Sequence, residues 1–440
     1  MKKIWVLLLL FSGRLFAQSS SKDFTDLIQP SIFAITKVMM HDVVNPPAAS
    51  RFYSYCMMGA YEIVATSDKS MPGLQKLLTA YKPEKPVSSY TITNSQITAL
   101  YCILETGKLM LPSGYMIEKD LDELNTKLKN RKVSDAVIKT AHEIALLIAK
   151  DCIRYASSDA YTKLSAKLRY TPKKGEGYWY PTPPAYLEAV EPNWKTVRPF
   201  FLDSSSQFIP APPAPYSTDK SSEFYKLTDE VYTVSKTLTK EQLHIASFWD
   251  CNPFAVENAG HLSLGFKKIS PGGHWMNISG IAAKQSKLSF SQTITMQTMV
   301  AFSLADAFIS CWDEKYRSHR IRPETVINKQ IDIKWQPLLQ TPPFPEYPSG
   351  HSVISSAAAE VLSFFLGDNY RYTDDSEMMF EIPARKFTSF RAASDEAAIS
   401  RLYGGIHYRD AIEFGVIEGK KVGELIVGRL KQYGISSFKK

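Results

Sequence analysis

The chain has 440 residues, 44% of them hydrophobic and 22% charged, which is ordinary for a globular protein of one or two domains with a large core. No internal apolar run reaches the length of a membrane span, which argues against a multi-span membrane protein. The formal net charge of +8 includes Lys2, Lys3 and Arg14 of the N-terminal segment, and no nucleic-acid motif accompanies it.

The first residues read as a secretory signal. Two lysines precede an apolar core from Ile4 to Phe11, and Leu-Phe-Ala17 before Gln18 forms an expected cleavage site. The chain is therefore expected to be exported, to a periplasm or beyond the cell, with no integral membrane segment after residues 1–17 are removed. Five cysteines (Cys56, Cys102, Cys152, Cys251 and Cys311) are odd in number and widely spaced, so they are read mostly as buried free thiols.

Residues 18–171 are rich in helix formers, and Glu143 to Cys152 carries an apolar stripe at helical spacing. Residues 172–217 differ sharply. Ten of the 26 prolines fall between Pro172 and Pro215, interleaved with Trp179, Tyr180, Trp194 and Phe200. So many prolines cannot continue a helix, and the aromatics favour an extended segment wrapping the helical body over a flexible linker.

Helices resume in residues 218–440. Thr239 with Glu241 opens one that runs to Trp249. The longest spans about Ser289 to Tyr316, with Met296, Val300, Leu304, Ala307 and Cys311 on one face. It presents Trp312 and Lys315 together, and Pro323 then places Arg322 at a bend. A further helix spans Ser352 to Phe365, Gly404-Gly405 makes a turn, and Asp410 to Leu430 is the last helix. The expected fold class is all-α, with the site at the open end of a helix bundle.

Three stretches carry the chemistry: Lys315-Tyr-Arg-Ser-His-Arg-Ile-Arg322-Pro323, Pro348-Ser349-Gly350-His351, and Ser400-Arg401 followed by His407. Lys and Arg neutralise a tetrahedral oxyanion, and an Arg fork matches two of its oxygens. A Ser hydroxyl and the free N–H groups at a helix start complete a cradle. One His can bond the central atom while the other moves protons.

In order and spacing these stretches resemble the signature of the vanadium-dependent haloperoxidase and type 2 phosphatidic acid phosphatase superfamily: Lys-x6-Arg-Pro, Pro-Ser-Gly-His and Ser-Arg-x5-His. Thr341 to His351 and Cys311-Trp-Asp-Glu-Lys315 are closer to the haloperoxidase branch. There a Trp three before the Lys and a Phe four before the Pro line the pocket, here Trp312 and Phe344. Phe248-Trp249-Asp250, Pro271-Gly-Gly-His274-Trp275 and the proline-rich stretch are similar to bacterial haloperoxidase-like proteins.

The resemblance implies the roles. His407 would anchor vanadium, or attack phosphorus in a phosphatase, and His351 would move protons. Lys315, Arg322 and Arg401 would clamp equatorial oxygens, with Lys315 also polarising bound peroxide. Ser349 would give its hydroxyl and Gly350 its N–H, while Trp312 and Phe344 would form apolar walls. Asp250 is taken as the carboxylate that orients the acid–base histidine, with Asp313 and Asp410 as alternatives. Many members carry an Asp four residues after the last His. Here Asp410 lies three after His407, which leaves that ring's partner open. Arg317, His319 and Arg320 are read as solvated, and His274-Trp275 has no derived role.

The expected activity is oxidation of halide, iodide foremost and bromide next, by hydrogen peroxide with vanadate as cofactor. The alternatives are an acid phosphatase, in which phosphate occupies the same cage and a phosphomonoester forms a phospho-His407 intermediate, and a non-catalytic oxyanion binder. No nucleic acid is expected as a partner, and the motifs carry no information on oligomeric state.

Overall fold

The computed structural model describes residues 23–78, 80–183, 186–253, 256–259, 262–265 and 267–439. The expected signal segment, residues 1–17, lies outside them. Among the described residues there are fourteen α-helices and two antiparallel hairpins, Val256–Ala259 with Leu262–Gly265 and Tyr372–Asp374 with Arg385–Phe387. The fold is all-α, and both hairpins are short accessories to it.

The central helix is Phe290–Ser318. Ser289 caps it reciprocally: its hydroxyl accepts from the Gln292 amide, and the Gln292 side chain accepts from the Ser289 amide. Twenty-nine residues carry it about 43 Å. It is long and apolar enough to cross a membrane, yet its apolar window is wholly buried, because other helices surround it. It ends at His319, a non-glycine residue in the left-handed region at φ 52°. The His319 Nδ1 and the Tyr170 hydroxyl lie 2.9 Å apart in a hydrogen bond.

One continuous apolar core runs from Phe24 to Ile435 and takes in the Pro46–Ala65 and Ser95–Met110 helices together with Phe290–Ser318 and Gly350–Leu366. The N-terminal helical region therefore shares its core with the C-terminal bundle. All five cysteines are free and buried.

Among its described residues the proline-rich segment has no α-helix, and it is pinned to that body at several points. Asp306, buried in the central helix, accepts the amides of Phe200 at 2.7 Å, Phe201 at 2.7 Å and Leu202 at 3.0 Å. Burial still pushes its carboxyl up to about 6. Upstream, the Trp179 amide donates to His319, and the Val190 amide to Pro343.

The last helix, Arg409–Gln432, lies along Gly350–Leu366. Three glycines at four-residue spacing make that closeness possible. A Cβ on Gly419 would overlap the Val353 carbonyl; one on Gly415 would sit 3.0 Å from Ser349 O, and one on Gly423 2.9 Å from Ala357 O. This seam holds the N-terminus of Gly350–Leu366, and with it the Ser349-Gly350-His351 turn, in place.

Candidate active site

Lys315 is fully buried near the end of the central helix, where its ammonium meets the backbone of the 345–348 segment. It donates to Pro345 O at 3.0 Å, Glu346 O at 3.0 Å and Pro348 O at 2.6 Å. Burial pulls its pKa down to about 7, while three carbonyl acceptors require all three of its protons. Lys315 thus fixes the segment that carries Phe344 and Ser349 as well as supplying charge.

Arg322 is held by carbonyls. Nε donates to Phe344 O at 3.0 Å and Nη1 to Ile406 O at 2.8 Å, and Nη1 also lies 3.2 Å from His407 Nε2. Its Nη2 is buried without a partner. Arg401 donates to Ser400 Oγ at 2.9 Å and to the Trp249 carbonyl at 2.8 Å. None of these three cations has a carboxylate at ion-pair distance among the described residues, although all are buried. Desolvating unpaired charge is costly, so their convergence is the signature of an anion site.

His407 Nδ1 lies 2.8 Å from Glu346 Oε1, which also accepts the Tyr408 amide at 3.0 Å. Arg322 can only donate, so Nε2 is the acceptor and Nδ1 carries the proton. Burial, then the charges of Arg322 and Lys315, hold this imidazole well below its usual range. It is a neutral ring with a lone pair on Nε2. His351 is also held low, by burial first and by Arg401 next, and its Nε2 is buried without a partner.

Ser349 caps the Gly350–Leu366 helix, its Oγ accepting from the Ser352 amide at 3.4 Å. That use leaves the hydroxyl proton free to donate. Trp312 and Phe344 meet with ring centroids 4.9 Å apart, and both Lys315 Nζ and the Arg322 guanidinium lie 5.1 Å from the Phe344 ring. A cavity of 40 Å³ is lined by both rings with Gly350, His351, Arg401 and His407. It has room for a few water-sized groups.

Three expectations need correction. Asp250 lines the cavity, but its carboxylate pairs with Lys268 at 2.5 Å. The group that meets His351 is the backbone of Trp249, one residue earlier. Asp313 and Asp410 do not take that role either, since Asp313 pairs with Arg317 and Asp410 with Arg320. Arg320 is not solvated. It is 4% exposed, 2.7 Å from Asp410 and 3.5 Å from Glu346. His319 is half-buried against Tyr170, and Arg317 is partly exposed and paired with Asp313 and Glu314.

Glu346, the partner of His407, is the residue that sequence reasoning missed. The available signal was an acidic residue inside an apolar, proline-rich run beside Pro-Ser-Gly-His.

An all-α bundle that buries unpaired cations around a neutral imidazole defines a helical oxyanion-binding protein. Residues 295–434 match the family profile described as the VCPO second helical-bundle domain. Among solved structures, a bacterial vanadium-dependent iodoperoxidase is 41% identical, with a TM-score of 0.86 over 92% of this chain and 96% of its own. A holo-type bacterial vanadium-dependent chloroperoxidase shares the fold at 16% identity, with a TM-score of 0.64 over 90% of this chain and 93% of its own. The apo-type chloroperoxidase does so at 14% identity, with a TM-score of 0.63 over 89% and 95%. No curated protein sequence matches. The chain belongs to the vanadium-dependent haloperoxidase family.

Proposed function

We propose that this protein is a vanadate-dependent haloperoxidase that oxidises halide, iodide foremost, with hydrogen peroxide to hypohalous species. The observation that carries the reading is the set of three buried cations without carboxylate partners facing a neutral His407. The unpartnered Arg322 Nη2 and His351 Nε2 fit an oxyanion in the cage. Iodide is supported by the iodoperoxidase that is 41% identical over nearly the whole chain.

His407 Nε2 would ligate vanadium, and Arg322, Arg401, Ser349 Oγ and the Gly350 N–H would hold vanadate oxygens. Bound there, vanadate supplies Lewis-acid activation of peroxide towards halide, with no change in its own oxidation state. Glu346 keeps the His407 ring in the tautomer that offers Nε2. His351, neutral and unpartnered at Nε2, would accept a proton from peroxide and hold it for return during turnover. Lys315, whose ammonium lies 5.1 Å from the Phe344 ring, would favour negative charge in the cavity. Trp312 and Phe344 limit water and leave space for peroxide and a halide but little for an organic phosphate ester, which disfavours the phosphatase alternative. The N-terminal signal pattern supports an exported enzyme.

The test is peroxide-dependent iodide oxidation by purified protein with and without orthovanadate, beside p-nitrophenyl phosphate hydrolysis. Triiodide formation that requires vanadate is expected. Ester hydrolysis that vanadate inhibits, without iodide oxidation, would replace this reading with the phosphatase.

A further inference from the structure

We propose that Cys251, His274 and Glu377 form a second metal site, separate from the oxyanion cage, which binds a divalent transition-metal ion, zinc foremost. The three ligands come from segments far apart in the chain. Cys251 follows the Lys240–Phe248 helix, His274 lies in the first turn of Pro271–Gln285, and Glu377 follows the strand Tyr372–Asp374. All three are buried, and their ligand atoms lie within 4.8 Å of one another.

The distances suit an ion. His274 Nδ1 is 3.4 Å from Cys251 Sγ and 3.2 Å from Glu377 Oε1. Tetrahedral zinc at its usual bond lengths separates N from S by about 3.5 Å and N from O by about 3.3 Å. A thiolate, an imidazole and a carboxylate are a zinc donor set, and three protein ligands with one water complete its shell.

Hydrogen bonding alone does not account for the cluster. Nδ1 faces both Cys251 Sγ and Glu377 Oε1, and the buried Glu377 Oε1 receives no hydrogen bond. One ion would satisfy all three atoms. The far side of the ring is already arranged for that purpose. His274 Nε2 is 2.8 Å from Asp374 Oδ2, and Asp374 Oδ1 is fixed by the Ser376 amide at 3.0 Å. A carboxylate on the outer nitrogen directs the inner nitrogen's lone pair to a metal.

The site lies beside the catalytic cavity, because Cys251 lines both. Trp249 stacks on the His274 ring with centroids 4.7 Å apart. Its carbonyl accepts from Arg401, and its backbone meets His351. An ion at Cys251 would therefore hold the turn that orients an anion clamp and the acid–base histidine. It would also shield a thiolate that peroxide and hypohalous species could otherwise oxidise. The inference does not depend on the peroxidase reading.

The experiment is metal analysis of the full chain purified without chelator and with any affinity tag removed, followed by cobalt(II) titration of protein stripped of metal. One zinc per chain is expected. So are visible bands of tetrahedral cobalt, together with a near-ultraviolet thiolate-to-cobalt charge-transfer band. Cys251→Ser should remove the charge-transfer band, and Glu377→Gln should weaken cobalt binding at least tenfold. His407→Ala should retain the zinc. Failure of the unmodified protein to bind zinc, or to show the thiolate band with cobalt, overturns the proposal whether or not the variants fold. Full zinc occupancy in Cys251→Ser overturns it as well.

Discussion

Glu346 and His407 lie sixty-one positions apart in the chain and meet at 2.8 Å, carboxylate to Nδ1. The same oxygen accepts the Tyr408 amide, so one carboxylate fixes both the ring and the backbone beside it. Glu346→Gln keeps the shape and removes the charge that favours a proton on Nδ1. Loss of such an outer partner weakens metal affinity by roughly 10–100-fold. The orthovanadate concentration needed to half-reactivate vanadate-stripped protein should rise by that factor. An unchanged value would assign Glu346 to packing alone.

The two histidines should separate by assay. His351→Ala removes the proton acceptor but none of the cage, so turnover should fall by about 10²–10⁴-fold with vanadate still bound. His407→Ala should lose vanadate binding in equilibrium dialysis and with it all peroxide-dependent iodide oxidation. Equal loss of vanadate in both variants would contradict this division of labour.

The glycine seam predicts a contrast within one helix. Gly419→Ala drives a methyl group into the Val353 carbonyl and should destabilise the protein by about 1–3 kcal/mol. Gly428 has open space around its α-carbon, so Gly428→Ala should stabilise by about 1 kcal/mol through helix propensity. Urea unfolding of the two variants beside the parent checks both signs.

Glu418 sits buried on the last helix with Oε1 2.6 Å from Ser310 Oγ and Oε2 unpartnered. Burial pushes its carboxyl from 4.5 up to about 8. Across that window the unfolded chain releases the proton while the folded chain keeps it, so this group's contribution to stability falls as pH rises. Glu418→Gln removes the dependence and can still accept from Ser310. Relative to the parent, it should gain on the order of 2–4 kcal/mol between about pH 5 and pH 8 in denaturant midpoints converted to free energy. A gap independent of pH would refute the assignment.

Much of the cage was legible because its residues cluster in short runs with fixed spacing. Lys315 and Arg322 flank one helix end, and Ser349, Gly350 and His351 form one turn. What escaped was contributed by distant chain. Arg320 looks like a surface charge until Asp410 and Glu346 are folded onto it. Asp250 looked like the orienting carboxylate, but the peptide group before it does that work, and backbone atoms carry no residue signal. His274 acquired a meaning only when Asp374, a hundred residues away, was placed beside its ring.

The residues that match the family profile, 295–434, contain every motif side chain, but not the whole enclosure. Trp312 Nε1 and the Tyr316 hydroxyl both donate to the Val190 carbonyl, which the proline-rich segment supplies. Pro46 and Asp250 to Pro253 line the cavity from still earlier in the chain. The smallest heritable unit of this chemistry is therefore longer than its recognisable signature. A bundle excised at the profile's edges would keep the charged residues and lose one side of their chamber, and shuffling that block into another scaffold would carry over the motif without the room it needs.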